Sequence, residues 1–521
     1  MKKHNLTYLF PALAATLAGL TPAHAQLTTN RYWDPSGSGN FGTINNTTVW
    51  VSPLNIVWTG SPNGQTARIS NYTTTLNDIC NWGGPMPPAT PTNPLGGGIV
   101  PVGTVNAGWL SFNYISARAV TLSGGTITLN ANARIIVNDT AYNHTITSTL
   151  AGAASSLTKT GPGTIVLSGS NIYTGPTIVS AGTLALGSSN ALAHSPLNTA
   201  SSIVGDATNG LKTTVTALTF GGLTGGKDLA SLFTTNSGGF DAVTEITLNP
   251  GDAVTAEYSG VIADGAAGMS LAKSGAGTQV LSGANTYTGS TTVNAGTLRL
   301  DYSTRDDSKL SDTAALVLGN GTLELVGGFH PEAVASTTLT GNATVRRTSG
   351  SAKLALGAIS GTGTVDFSAD NIATTTTPNN SVGLLPFATI SGSDLAARDG
   401  SGNIVAFTGY TDIDARGPST VPDNANAVIR ILGDGTSGNI NLAASTTTIY
   451  SLLQSNANFA ATIDTAGKTL ATTAIAVGAS AESLNIGAAA GDGILRSPDA
   501  GGTLPLTIAN AAKSLTINAV I

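Results

Sequence analysis

The chain has 521 residues, of which 10% are charged, against roughly 25% in an average soluble domain. Its 22 basic and 28 acidic residues leave a formal net charge of −6, which offers no basic patch to hold nucleic acid. At 41% apolar the chain is too hydrophobic for a disordered one, and its one cysteine, Cys80, has no second thiol for an internal disulfide.

Residues 1–25 have the layout of an export signal. Lys2 and Lys3 form a basic start, Leu9 to Leu20 is an apolar run too short for a spanning helix, and Ala23-His24-Ala25 is a small-residue cleavage site. Export predicts a secreted or cell-surface location. From 26 to 113 the composition changes. All five tryptophans lie here (Trp33, Trp50, Trp58, Trp82 and Trp109), with prolines clustered between Pro85 and Pro94. A Trp-rich cap that closes the open end of an array is the structural reading of this module, and an aromatic carbohydrate-binding platform is the functional one. Cys80 falls inside it as a buried structural thiol, with no positive charge nearby in sequence to activate it.

Residues 114–371 hold the clearest periodicity. Leu157 to Leu186 (LTKTGPGTIVLSGSNIYTGPTIVSAGTLAL) returns 114 residues later at Leu271 to Leu300 (LAKSGAGTQVLSGANTYTGSTTVNAGTLRL) without a gap. Each copy reads as two short strands with glycine turns. Leu184 and Leu186, like Leu298 and Leu300, share one face of a strand. The position between them, Ala185 or Arg299, is expected to face water. A shorter form, Gly-Thr followed by apolar, any residue and apolar, begins at Gly125, Gly163, Gly182, Gly296, Gly321, Gly363 and Gly502. Gly277 is a near-match with Gln279 in the first apolar place. One such unit cannot bury its inner face alone, so the array is predicted to be an all-β, repetitive β-solenoid, a right-handed parallel β-helix stabilised by stacking. Thr304 to Leu310 (TRDDSKL), the most charged loop, is expected to project from the wall as a solvated insertion.

Residues 372–425 are less regular and read as an insertion between solenoid segments. From 426 to 521 apolar alternation returns. The final Leu515 to Ile521 looks like the lead-in to a further repeat that does not follow, the mark of a truncated chain.

The pattern K-[ST]-G-x-G-T-x-x-L-S-G-x-N-x-Y-T-G, then V-x-A-G-T-L-x-L, resembles the autotransporter-associated β-strand repeat, found in passenger regions of large bacterial surface proteins. The arrangement from Arg31 to Trp33 and on to Trp82 is similar to the module that often precedes it. The resemblance implies an autotransporter-like export route, with a membrane barrel that these residues lack, and a non-enzymatic scaffold in adhesion or surface display. The resemblance names no ligand, since the family is defined by its scaffold; the partners expected of such a surface protein are cell-surface glycans or other extracellular polymers.

Catalytic signals are weak beside this. Gly221 to Lys227 (GGLTGGK) approaches a P-loop, but Asp228 stands where Ser or Thr must hold magnesium, and a glycine-rich corner explains it better. His144, His194 and His330 lie far apart, without the converging ligands zinc needs. A polysaccharide lyase or hydrolase on a parallel β-helix is the enzymatic alternative and would need paired carboxylates. Asp306 and Asp307 are adjacent, while Asp412 and Asp414 share a face but sit in the irregular insertion. No catalytic, cofactor-binding or metal-binding residue is therefore assigned.

Overall fold

The computed structural model describes residues 29–33, 58–59, 78–82, 98–113, 119–414, 416–432, 439–499, 504, 506–508 and 513–521. The export signal, Trp50 and Gly502 lie outside them. Short strands dominate, and the only helices among the described residues are two 3-10 turns, Leu229–Leu232 and Phe240–Ala242. None is long and apolar enough to cross a membrane. Strands from successive coils stack in parallel: Ile165 lies opposite Leu184 and Ala217 opposite Glu245, so the coils there take 19 and 28 residues. This is the expected β-solenoid. Inward positions carry Leu, Ile and Val, and one continuous apolar bore runs from Cys80, which is buried, to Ile404.

Each copy of the long repeat contributes four strands rather than two. In the first copy these are Ser156–Thr160, Thr164–Leu167, Thr177–Val179 and Thr183–Leu186. Leu157 pairs with Thr177 and Ile165 with Leu184, so the copy covers one full coil and part of the next on two walls. Leu184, Leu186, Leu298 and Leu300 are buried as expected. Ala185 is not at a wet surface: it is 3% exposed, flanked in the outer row by Val166 and Lys212, which cover so small a side chain.

The Gly-Thr signature marks a strand start at every described occurrence, but its glycines serve two purposes. Gly182 has φ +65°, a conformation that L side chains rarely adopt. Gly163 has no positive φ. A Cβ there would lie 1.9 Å from the Asp139 carbonyl oxygen, so its glycine permits backbone of one coil to rest directly on the coil before it.

Between the copies the walls change places. The wall bearing Ser156–Thr160 runs on through Thr177, Leu197 and Leu223, and then through Gly225 opposite Tyr258. It thereby joins the wall that bears Thr278–Leu281, the second strand of the second copy. Meanwhile Leu192, at a corner after the first copy, bridges to Phe220 and starts the wall that carries Ser270–Lys273. The second copy is thus turned by one face about the solenoid axis. Gln279 ties the seam: its Oε1 accepts from Leu223 N–H at 2.9 Å, and its Nε2 donates to the Leu223 carbonyl at 3.1 Å and to Ala256 and Val280. A side-chain amide here takes the place of a strand partner, which explains a polar residue at an otherwise apolar bore position.

Residues 372–425 are strand-bearing. Leu385–Ile390 pairs in parallel with Thr364–Phe367, and Asp394–Arg398 and Ile404–Ala406 continue from it as an antiparallel meander. A second apolar bore begins at Ile413 and extends to Ala519. The meander meets it through Asn380 Nδ2, which donates to Tyr450 Oη at 2.6 Å, and through Arg430, bonded to Asp412 and 3.8 Å from Asp394. At the other end, Thr29–Trp33 lies parallel to Asp78–Trp82 and antiparallel to Trp58–Thr59, as part of the same wall that carries Thr104–Phe112.

Candidate binding surface

The lysine, asparagine and tyrosine common to both copies bond within and between coils. Lys159 is buried, and its Nζ donates to the carbonyls of Thr160 (3.0 Å), Gly161 (2.8 Å) and Ala181 (3.0 Å). Lys273 does the same to Ser274, Gly275 and Ala295. Burial pushes the Lys159 amine down to about 7 and that of Lys273 to about 8. Three carbonyl oxygens around each nitrogen oppose that shift, because only an ammonium has three donors for them. Asn171 spans three coils, accepting from Leu150 N–H and donating to the Ala191 carbonyl. Asn285 links Ile262 and Lys309 in the same way. Tyr173 and Tyr287 are buried, with their hydroxyls on Thr177 and Thr291. Chemistry that looks available in the sequence is therefore engaged in the scaffold.

The residues weighed for catalysis are also held by neighbours. In the glycine-rich corner, Lys227 Nζ donates to the carbonyls of Ala200 and Ser202, and Asp228 Oδ1 accepts from Val261 N–H. Asp306 accepts from the N–H groups of Phe329 and His330, and Asp307 pairs with Arg305. Asp412 and Asp414 do point to one side of their strand, but each is held by its own arginine, Arg430 or Arg416. The three histidines do not converge. His144 is buried with Nε2 3.3 Å from Asp139 Oδ2, while its Nδ1 accepts from Val120 N–H. His330 stacks on Tyr302, and His194 is exposed. Among the described residues no three metal-ligating side chains come together.

Two surface features remain. Residues 304–310 do not project as a free loop: Lys309 and Leu310 are buried beneath Glu332, a residue with no repeat signal to announce it. The Glu332 carboxylate accepts from Tyr302 Oη (2.6 Å), Ser308 Oγ (2.8 Å) and the N–H groups of Lys309 and Leu310. This anchorage leaves only the outer part, with Arg305 and Asp307, in water, beside Phe329 at 75% exposure. Trp109, the one tryptophan with a described side chain, is half-buried on the outer wall with the Arg134 guanidinium 4.9 Å from its ring centre.

The second feature is a cleft of about 370 Å³ where the corner after the first copy overhangs the wall that opens the second. Asn190 and His194 form the overhang, Thr219 and Thr247 the floor, and Ile172 an exposed apolar edge. Thr219 and Thr247 are ladder neighbours, so the floor follows the solenoid axis.

Comparison with known proteins agrees with this architecture. Residues 157–186 and 271–300 each match the passenger-associated-transport-repeat family. Over 238 residues the chain is 34% identical to the adhesin BmaC autotransporter of Brucella suis biovar 1 (strain 1330). That match takes in 43% of this chain and 6% of the adhesin's length. No solved structure matches. The repeats, the parallel coils and the likeness to an autotransporter adhesin make this an autotransporter passenger-like repeat protein built on a β-solenoid.

Proposed function

We propose that the chain is exported and displayed at the cell surface, where it works as a non-catalytic adhesive scaffold. The observation that carries this reading is the engagement of Lys159, Lys273, Asn171, Asn285, Tyr173 and Tyr287 in bonds within and between coils. The repeat invests its polar chemistry in a rigid shaft, and contact with other surfaces falls to the loops, corners and outer rows that vary between coils. A lyase or hydrolase is not favoured, since the acidic pairs it would need are individually bonded to arginines or backbone. The likeness to a named adhesin supports adhesion as the task.

The test is display on the producing bacterium. Antibody raised against residues 98–371 should label intact cells, and deleting the gene should lower attachment to surfaces or to other cells. Labelling confined to lysed cells, or product release from acidic polysaccharides incubated with the purified protein, would overturn the reading.

A further inference from the structure

We propose that the cleft at the seam between the two repeat copies is a binding site for a neutral oligosaccharide laid along the solenoid axis. Its lining comes from five successive coils, represented by Ser170, Asn190, Thr219, Thr247 and Ser274. Successive coils are about 4.8 Å apart, so the lining extends about 19 Å along the axis, slanting across the wall from Thr247 to Ser274. A linear glycan offers a comparable succession of rings and hydroxyls.

The lining holds neither a cationic nor an anionic residue; it is made of hydroxyls, amides, one imidazole and the apolar Ile172 and Ala193. Acidic polymers are recognised by Arg and Lys, which are absent from the lining, and Glu245 stands at the rim, bonded to Thr247 Oγ1 at 3.2 Å. Among the described residues, the side chains of Ser170, Asn190, His194 and Thr219 have no hydrogen-bond partner, in contrast to the lysines, asparagines and tyrosines that the two copies share. They are donors and acceptors left over for a ligand. Asn249, by contrast, is fixed between the Ala193 carbonyl and Ser274 Oγ, and so braces the overhang against the floor.

A peptide strand is a poorer occupant, because strand addition needs an open backbone edge. Here the backbone is already paired across the seam: Thr219 N–H donates to the Ser189 carbonyl and Gly221 N–H to that of Leu192. The volume falls within the range of sites for small ligands. The seam explains why the cleft exists at all. Where the walls exchange roles, an irregular corner sits above a regular strand, and the two cannot pack flush.

This assignment deepens the adhesive reading but does not depend on display. The purified protein is titrated calorimetrically with hexamers of cellulose, chitin, maltose and mannan, and with heparin and polygalacturonate as acidic comparators. At least one neutral hexamer should bind, and no acidic polymer should bind more tightly. Asn190→Ala and His194→Ala, both at exposed positions, should each weaken binding at least fivefold, and Thr219→Lys should abolish it. Phe329→Ala, on a distant loop, should leave it unchanged. Failure of all four neutral hexamers to bind at millimolar concentration, equal binding by the Asn190 and His194 variants, or preference for heparin would each overturn the site. Glycan binding without surface labelling of intact bacteria would sink the display reading alone and leave the site standing.

Discussion

The two copies of the repeat are the same sentence spoken to different neighbours. Lys159 and Lys273 make the same three bonds, and the paired asparagines and tyrosines do the same work. Where the copies differ, the difference follows the adjoining coil. Ile165 lies in an ordinary ladder between His144 and Leu184, whereas its counterpart Gln279 meets a seam and bonds Leu223. Ala185 has Lys212 beside it; its counterpart Arg299 has Glu324, whose Oε2 lies 2.7 Å from the Arg299 Nε. Burial pushes the Glu324 carboxyl up, but hydrogen bonds from Arg299 and Arg346 outweigh it and hold the group below the usual carboxylate range. Positions that stay constant fasten a coil to its neighbours through bonds made the same way in both copies, and positions that vary answer to the particular side chain the adjoining coil presents.

The strongest way to test that division is to break what the copies share. Leu184→Asp and Leu298→Asp should each cost about 4 kcal/mol, the price of an unpaired buried charge, with equal losses of urea resistance in the two copies. Unequal losses would mean that the bores are not equivalent. Acid should separate the regions next. Burial pushes the His144 imidazole down to about 4, against the opposing pull of Asp139. The unfolded chain then takes up a proton from about pH 6.5 downward while the folded one does not. The His144 contribution to stability should fall by roughly 3 kcal/mol between about pH 6.5 and 4 and level off below, where the depressed carboxyl of Glu324 begins to add its own loss. Hydrogen exchange should show the loosening around 120–146 and not around 256–298, and a His144→Phe variant should lose the pH dependence.

A subtler break is Gln279→Ile, which makes the second copy's bore match the first. It should destabilise by about 2 kcal/mol, because the buried N–H and carbonyl of Leu223 lose their partners. An unchanged melting curve would show that the side-chain bridge is dispensable. The smallest effect concerns the outer row. Ala185→Arg should cost about 1 kcal/mol beside Lys212, and adding Lys212→Glu should recover it, as judged from a double-mutant cycle. Additive behaviour would remove the argument that the neighbouring coil selects the residue.

These particulars also mark how far the sequence alone could be read. Strand starts were legible because Gly-Thr and the two-residue apolar alternation are local signals, and Leu184 and Leu298 are buried for the reason their spacing suggests. The burial of Ala185 is not legible locally, because it depends on Val166 and Lys212, which stacking brings from the coils on either side. The anchorage of 304–310 has no local signal, because its organiser, Glu332, follows more than twenty residues later, in a strand without a repeat motif. The cleft was hidden for the same reason in stronger form. Its lining is scattered from Ser170 to Ser274, and only coil lengths between the copies determine which of those residues meet. The coil-fastening role of Lys159, Asn171 and Tyr173 is likewise not legible, because their partners lie on other coils or at turns that stacking brings near.

The one-face turn between the copies makes residue count a measure of angle. Inserting a whole coil between 187 and 250 would lengthen the shaft and leave both copies on their present bearings. Inserting the length of a single wall would swing everything beyond it around the axis. In a shaft of this kind, changes in spacer length alone could point the same loops toward a different side, with no substitution in any repeat.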